Sequence, residues 1–409
     1  MYLRGEPTHP DIYDLPWDTP LEQWPAQWLI GLPRGISRHV VRFVGLDGVV
    51  FAVKEIGQWS AEREYRLLRA LERDGVPCVH PVGIVDGRQA PDGTRLETAL
   101  VTQHLEFSLP YRALFSQTVR PETAVRLLDA LSVLLVRLHL AGFWWGDCSL
   151  SNTLFRRDAG SFSAYLVDAE TAEHHPAISE GLRTHDLSMA RTSIIGELMD
   201  LQAGELLDEA MDPIETGDTI VATYHDLWSA LTGREVVRAG ERFRVDARIR
   251  RLNALGFDVA ELEVLAEQGQ DQVQIQPKVV DAGHHSRRLL RLTGLDVEEN
   301  QARRLLNDLD SYRASGPQAK ESEQIVAHQW LGDVFHPVER AIPKDLRGKL
   351  EAAEVFHEVL EHRWFLSEGA GHDIGIVAAA HSYVDTVLRH KPDERSVIAP
   401  LTAPAPMDD

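Results

Sequence analysis

LHLAGFWWGDCSLSNTLF (138–155) and, after a short gap, AYLVDAE (164–170) decide how this chain is read. The pattern predicts a helix end, a tight polar loop, a strand, and a second strand that delivers a carboxylate. Asp147 and Asn152 stand five positions apart in a loop flanked by apolar runs, and Asp168 follows Tyr165, Leu166 and Val167. A hydroxyl nucleophile needs a carboxylate to take its proton, and a triphosphate needs a hard cation held by oxygen ligands. Asp-x-x-x-x-Asn with a later strand-borne Asp supplies both kinds of group. Both residue types also shape ordinary turns, so the upstream half must decide between the two readings.

Upstream, FAVK (51–54) closes a run from Val49 to Ile56 that reads as a strand. His39–Val44 reads as its partner, joined by a turn at Gly45–Gly48. Val50, Ala52, Lys54 and Ile56 share one face of that strand. Ala52 is small enough to leave room for a purine, and Lys54, two residues on, lies within reach of its phosphates. Only six of the 42 basic residues are lysines, and Lys54 is the sole one before position 278. A compact ammonium kept where arginine is used everywhere else points to a geometric need. A helical run from Ser60 to a stop at Gly75 offers Glu64, with Glu62 second, to orient Lys54. Gly35 and Ser37, just before the first strand, are candidates to donate backbone N–H groups to phosphate, although the segment carries no G-x-G-x-x-G. Two further strands are expected between 76 and 106, with the hinge at Thr102–Glu106, and a helix at 121–139 whose leucines form a core stripe.

These segments resemble the protein-kinase-like fold over residues 31 to 240. The matching stretches are FAVK (51–54), EREYRLLRAL (62–71), GDCSLSN (146–152) and LVDAE (166–170). They are closest to the branch of aminoglycoside phosphotransferases, choline kinases and lipopolysaccharide-core sugar kinases. The whole chain further resembles a bacterial family that joins a lipopolysaccharide-kinase-like half to a C-terminal domain of unknown function. The resemblance implies ATP and Mg²⁺ as cofactors, with Asp147 as base or orienter of an acceptor hydroxyl. It implies Asn152 and Asp168 as Mg²⁺ ligands, Lys54 as the α/β-phosphate lysine, and Asp186 as the carboxylate that pins the Asp147 loop. Asp186 read alone is equally a helix N-cap. Trp145-Gly146 and Ala169 stand where the pattern has His-Arg and Phe, so switching by activation-loop phosphorylation is not expected.

The expected architecture is α+β. It comprises an N-terminal extension (1–34), a β-rich small lobe (35–106), a helical lobe (107–240) and a mainly α-helical C-terminal domain (241–409). Residues 7–20 are expected to be irregular, followed by a capped helix (Thr19-Pro20-Leu21-Glu22) carrying Trp24 and Trp28 as packing residues. Beyond 240, one strand (QVQIQPKVV) and helices at 297–312 and roughly 320–335, 345–367 and 374–390 are expected, ending in a disordered tail over the last ten residues. HEVLE (357–361) misses H-E-x-x-H, and Glu354-x-x-His357 has no second copy, so no metal site is expected there.

The net charge of −21 argues against nucleic acid or an anionic membrane as partner. No stretch reads as a signal peptide or a membrane span, and two cysteines make no disulfide framework. The cytoplasm is the expected compartment. Three readings follow. One is a phosphotransferase acting on a small-molecule, sugar or protein hydroxyl. The second is a pseudokinase that regulates through its C-terminal domain, and the third an adaptor in which the motifs are coincidence.

Overall fold

The computed structural model describes residues 1–5, 9–31, 38–115, 121–208, 211–233, 235–238, 261–267, 272–278, 283–315 and 321–395, with residues 247, 252 and 257. Among the described residues, the first half of the chain holds three sheets with their helices. The first is antiparallel, built from β1 (Tyr2–Gly5), β2 (Val41–Leu46), β3 (Val49–Ile56), β4 (His80–Asp86) and β5 (Thr98–Gln103), in the order β1-β4-β5-β3-β2. Helix α1 (Gln58–Arg73) leaves β3 and packs on β4 and β5. The β2–β3 turn falls within the expected Gly45–Gly48 stretch but is two residues shorter. Its central residues are Asp47 and Gly48, at φ +47° and +84°, the left-handed pair that a two-residue hairpin demands. Strand β2 therefore runs on through Gly45 to Leu46.

The N-terminal segment corrects two expectations. Tyr2–Gly5 is an edge strand, paired antiparallel with β4 from Tyr2 opposite Asp86 to Gly5 opposite Gly83. Within the stretch expected to be irregular, Pro10–Asp14 forms a 3-10 turn and the other described residues are irregular, while the expected capped helix is instead two such turns, Leu21–Gln23 and Ala26–Trp28. Pro25 between them removes a backbone donor that a continuous helix needs. The Thr19 hydroxyl donates to Asp18 instead of capping. Ile12, Leu15, Trp17, Leu21 and Trp24 are buried against Val44, Phe51 and Val53, so this segment supplies one wall of the small-lobe core. Trp24 is a packing residue, edge-on to Trp17.

The helical lobe begins with β6 (Ser108–Pro110), α2 (Tyr111–Phe115) and α3 (Pro121–Leu140). Leu127, Leu131, Leu134, Leu135 and Leu138 of α3 are buried, as their spacing predicts. A short pair, β7 (Phe143–Trp144) with β10 (Glu173–His174), brackets a hairpin of β8 (Thr153–Asp158) and β9 (Ser161–Leu166). Helices α4 (Glu180–Ala203) and α5 (Pro213–Thr232) close the core beneath it.

Beyond α5 the fold holds more sheet than the single expected strand. β11 (Glu235–Arg238), β12 (Glu261–Glu267) and β13 (Gln272–Lys278) form an antiparallel sheet in the order β11-β13-β12. A helical unit follows: α6 (His284–Thr293), α7 (Glu299–Ser315), α8 (Glu323–Trp330), α9 (His336–Ala341), α10 (Ala352–Ala370) and α11 (Ile376–Thr386). Its own core is centred on Leu305, Leu309, Trp330, Phe356 and Tyr383. A π-helical turn at Leu331–Phe335 joins α8 to α9. The expected tail lies outside the described residues.

The helical unit docks on the β8–β9 hairpin through buried polar groups. Asp158, at the hairpin's end, accepts from the Gln301 N–H at 2.8 Å and from Asn300 Nδ2 at 2.8 Å. It thereby caps the N-terminus of α7 from another part of the chain, where the helix dipole favours an anion. Glu354 accepts from the Ala159 N–H and from Gln301, so the half-motif Glu354-x-x-His357 is interface structure. Arg156 spans Glu298 and Glu351 at 3.1 and 2.8 Å. Burial, then the Glu298 carboxylate, push the Asp158 pKa up to about 7. Asp158→Ala leaves two buried donors without acceptors and should cost about 3 kcal/mol, read as a lower midpoint in urea unfolding. An unchanged midpoint would remove Asp158 from the interface account.

Candidate active site

Lys54 is the hub of the cleft. Alternation along β3 turns it inward opposite Leu100 of β5, and it is only 9% exposed. Its Nζ donates to Glu64 of α1 at 3.0 Å and to Asp168 at 2.7 Å, with Glu170 3.6 Å away. Burial by itself would lower the Lys54 pKa, but Glu64 and Asp168 outweigh it and hold the ammonium charged. Burial, reinforced by Asp168, pushes Glu64 up to about 8, even though Lys54 pulls the other way. The end of β3 and the first two turns of α1 suffice to bring Glu64 round to Lys54. Glu62 faces solvent and pairs with Arg4.

The Asp147 loop is held from beneath. The Asp186 carboxylate accepts from the Trp145 and Gly146 N–H groups at 2.9 and 2.8 Å and contacts His139 Nε2 at 3.0 Å. It sits in the second turn of α4, whose N-cap is Ser179, so the N-cap reading of Asp186 does not hold. Gly146 takes φ +75°, and a Cβ there would lie 2.8 Å from the Trp144 ring, so glycine is required in front of Asp147. The Trp145 indole N–H donates to the Asp168 carbonyl at 3.0 Å, tying the loop to the strand end that carries the second carboxylate.

Asn152 Nδ2 donates to the Asp147 carbonyl at 3.0 Å and to its carboxylate at 3.3 Å. The Asn152 amide oxygen is thus the atom left to face the cleft. Arg38 approaches the Asp147 carboxylate to 3.9 Å at the exposed mouth. Gly35 and Ser37 lie outside the described residues.

Glu197, Glu170, His39 and Arg63, which sequence reasoning missed, belong here. Glu197 accepts from the Leu150 N–H at 2.6 Å, the Ser151 N–H at 3.0 Å and the Ser151 hydroxyl, holding the second half of the loop. It stands eleven positions after Asp186 in α4, three helical turns on and on the same face. That spacing of two acidic residues on an otherwise apolar stripe was a usable signal. Glu170 contacts His39 at 2.9 Å, and its main chain, with that of Ala172, accepts from Arg63 of α1. Helix α1 therefore grips both Lys54 and the segment after Asp168.

Two contiguous cavities of about 420 and 370 Å³ run between the lobes. Lys54, Glu64, Asn152 and Asp168 line the first. Ala52, Thr102, Phe43 and Val167 face both, and the second continues past Gln103 and His104. Ala52 pairs with Phe43 on one side and Thr102 on the other, which leaves a slot above its small side chain. Burial lowers the His104 pKa from 6.5 to about 4, so this wall is neutral at pH 7. Because the unfolded chain binds that proton first, stability should fall as pH drops from about 6.5 towards 4. The ring keeps a small exposed part, so the effect should be about 1–2 kcal/mol. In His104→Phe that part of the acid sensitivity should vanish, as measured by urea unfolding across this window.

A five-stranded lobe bearing a buried Lys–Glu pair, above a helical lobe bearing Asp147, Asn152 and Asp168, defines a kinase-like protein. Residues 50–204 match the model of the lipopolysaccharide kinase (Kdo/WaaP) family, and residues 226–388 match that of a domain of unknown function, DUF4032. The N-terminal segment is thus lipopolysaccharide-kinase-like, and the second match begins inside α5. Among solved structures, WaaP in complex with acyl carrier protein aligns at 19% identity and a TM-score of 0.36, covering 62% of this chain and 99% of that one. No curated protein matches the chain. No helix among the described residues is long and apolar enough to cross a membrane.

Proposed function

We propose that the chain transfers the γ-phosphate of ATP, with Mg²⁺, to a hydroxyl acceptor that is a small molecule, a sugar or a protein side chain. The observation that carries this reading is the convergence of Lys54, Glu64, Asn152 and Asp168 on one cleft, with Asp147 bonded to Asn152 at its mouth. Lys54, oriented by Glu64, holds the α- and β-phosphates. The Asp168 carboxylate and the Asn152 amide oxygen are hard oxygen donors of the kind Mg²⁺ takes. When bound, the metal neutralises charge building on the transferred phosphate. Asp147 orients the acceptor hydroxyl and receives its proton. The adenine lies in the slot over Ala52 against the hinge at Thr102–Glu106. We place the lobe boundary near Glu106 and the start of the C-terminal domain near residue 240, in a cytoplasmic protein supplied with ATP.

A second reading, a nucleotide-binding regulator without transfer activity, is favoured by the direct Lys54–Asp168 contact, which closes the phosphate lysine onto the metal carboxylate. Single-turnover transfer from γ-labelled ATP into a panel of hydroxyl acceptors separates the two. Labelled product supports the kinase, and nucleotide binding with no transfer to any acceptor class supports the regulator.

A further inference from the structure

The far wall of the hinge cavity does not come from the kinase-like lobes. It is made by Glu394 and Arg395, at the end of the helical C-terminal unit. Their placement is built in. Glu394 is 4% exposed, and its carboxylate takes three short contacts from Arg157 of β8, at 2.8 to 3.0 Å. The Glu394 and Arg395 N–H groups donate to the Lys349 and Gly348 carbonyls, at 3.2 and 2.8 Å. Lys349 Nζ in turn holds the Arg389 and Lys391 carbonyls. This clamp carries Arg395 to the hinge, where its Nε stands 3.6 Å from Glu106. The Arg395–Glu106 pair is half-exposed on both sides and contributes little stability by itself. A buried clamp that presents a weakly paired guanidinium to a cavity is better explained by a ligand.

We propose that Arg395 is a nucleotide-contacting residue, so that the C-terminal domain completes the nucleotide cleft. This rests on the cleft's reading as an ATP site. A base held against the hinge brings its sugar out beside Glu106, and the Arg395 N–H groups donate to the ribose hydroxyl oxygens, since a guanidinium can only donate. The contact lies at the sugar end of the cleft, across Ala52 and Thr102 from Lys54, and away from the phosphates.

The test is calorimetric titration of the full chain with Mg²⁺-ATP and, separately, with adenosine. Wild type should bind both, and Arg395→Ala should weaken both about tenfold, the scale of charge-assisted hydrogen bonds at a half-exposed side chain. Arg395→Gln, which keeps a donor, should fall between. The unfolding midpoint of the ligand-free Arg395→Ala protein should match wild type, since the side chain is half-exposed. Equal affinities in wild type and Arg395→Ala overturn this inference alone. A loss for ATP with none for adenosine also overturns it, because it moves the contact to the phosphates. Failure of wild type to bind either ligand overturns the reading of the cleft and this inference with it.

Discussion

Asp147→Ala should lower single-turnover phosphoryl transfer about 1,000-fold while leaving Mg²⁺-ATP affinity within about twofold. The size follows from removing the group that takes the acceptor proton, where general bases contribute 10²–10⁴. The selectivity follows from the geometry. Asp147 stands at the mouth, 44% exposed at its side chain, and lines neither of the two cleft cavities. Its bond to Asn152 involves only the amide N–H group, so the Asn152 oxygen keeps its place when Asp147 is truncated. Rapid-quench transfer set against equilibrium binding checks both halves. A large fall in affinity would mean that Asp147 holds the nucleotide instead of the acceptor.

Lys54→Met should reduce transfer by about 100-fold or more, the scale seen when one preorganised cation or donor is removed from developing negative charge. The structure adds a second consequence. Lys54 is flanked by Glu64, Asp168 and Glu170, and without the ammonium these three acidic groups lose the cation that holds them together. Lys54→Arg restores charge but not shape, because a planar fork cannot replace Nζ at 2.7 and 3.0 Å from two carboxylates on different elements. It should still cost about tenfold in rate. Transfer rates for both variants, compared with their unfolding midpoints, separate lost chemistry from lost packing. Wild-type rates in Lys54→Arg would end the phosphate-lysine assignment.

The sequence carried the polar framework of the cleft because each part has a short-range signature. Asp147 and Asn152 share one loop, Asp168 ends an apolar strand, and Lys54 is conspicuous as a lone lysine on the inward face of β3. Helix start and register narrow the partner of Lys54 to Glu64 or Glu62, and the structure pairs Glu62 with Arg4 instead. What escaped is held by contacts distant in sequence. Tyr2–Gly5 looks like any polar leader until β4, some 80 residues on, gives it a partner. Glu197 reads as a surface acid unless α4 is known to run beneath the loop. The end of β2 reads two residues early because Gly45 suggests a turn as strongly as Gly48, and only the left-handed Asp47-Gly48 pair shows which one bends. Glu394 and Arg395 sit at the end of a helical unit whose sequence states no chemistry. Only the Arg157 clamp brings them to the hinge.

The central claim is that Asp168 and Asn152 hold a metal ion that fixes ATP against Lys54. Its most direct measurement is ATP affinity with and without Mg²⁺, in wild type and in Asp168→Ala. We expect Mg²⁺ to tighten ATP binding to the wild-type chain by about tenfold or more, and that gain to disappear in Asp168→Ala. An equal Mg²⁺ dependence in the two proteins would contradict the account.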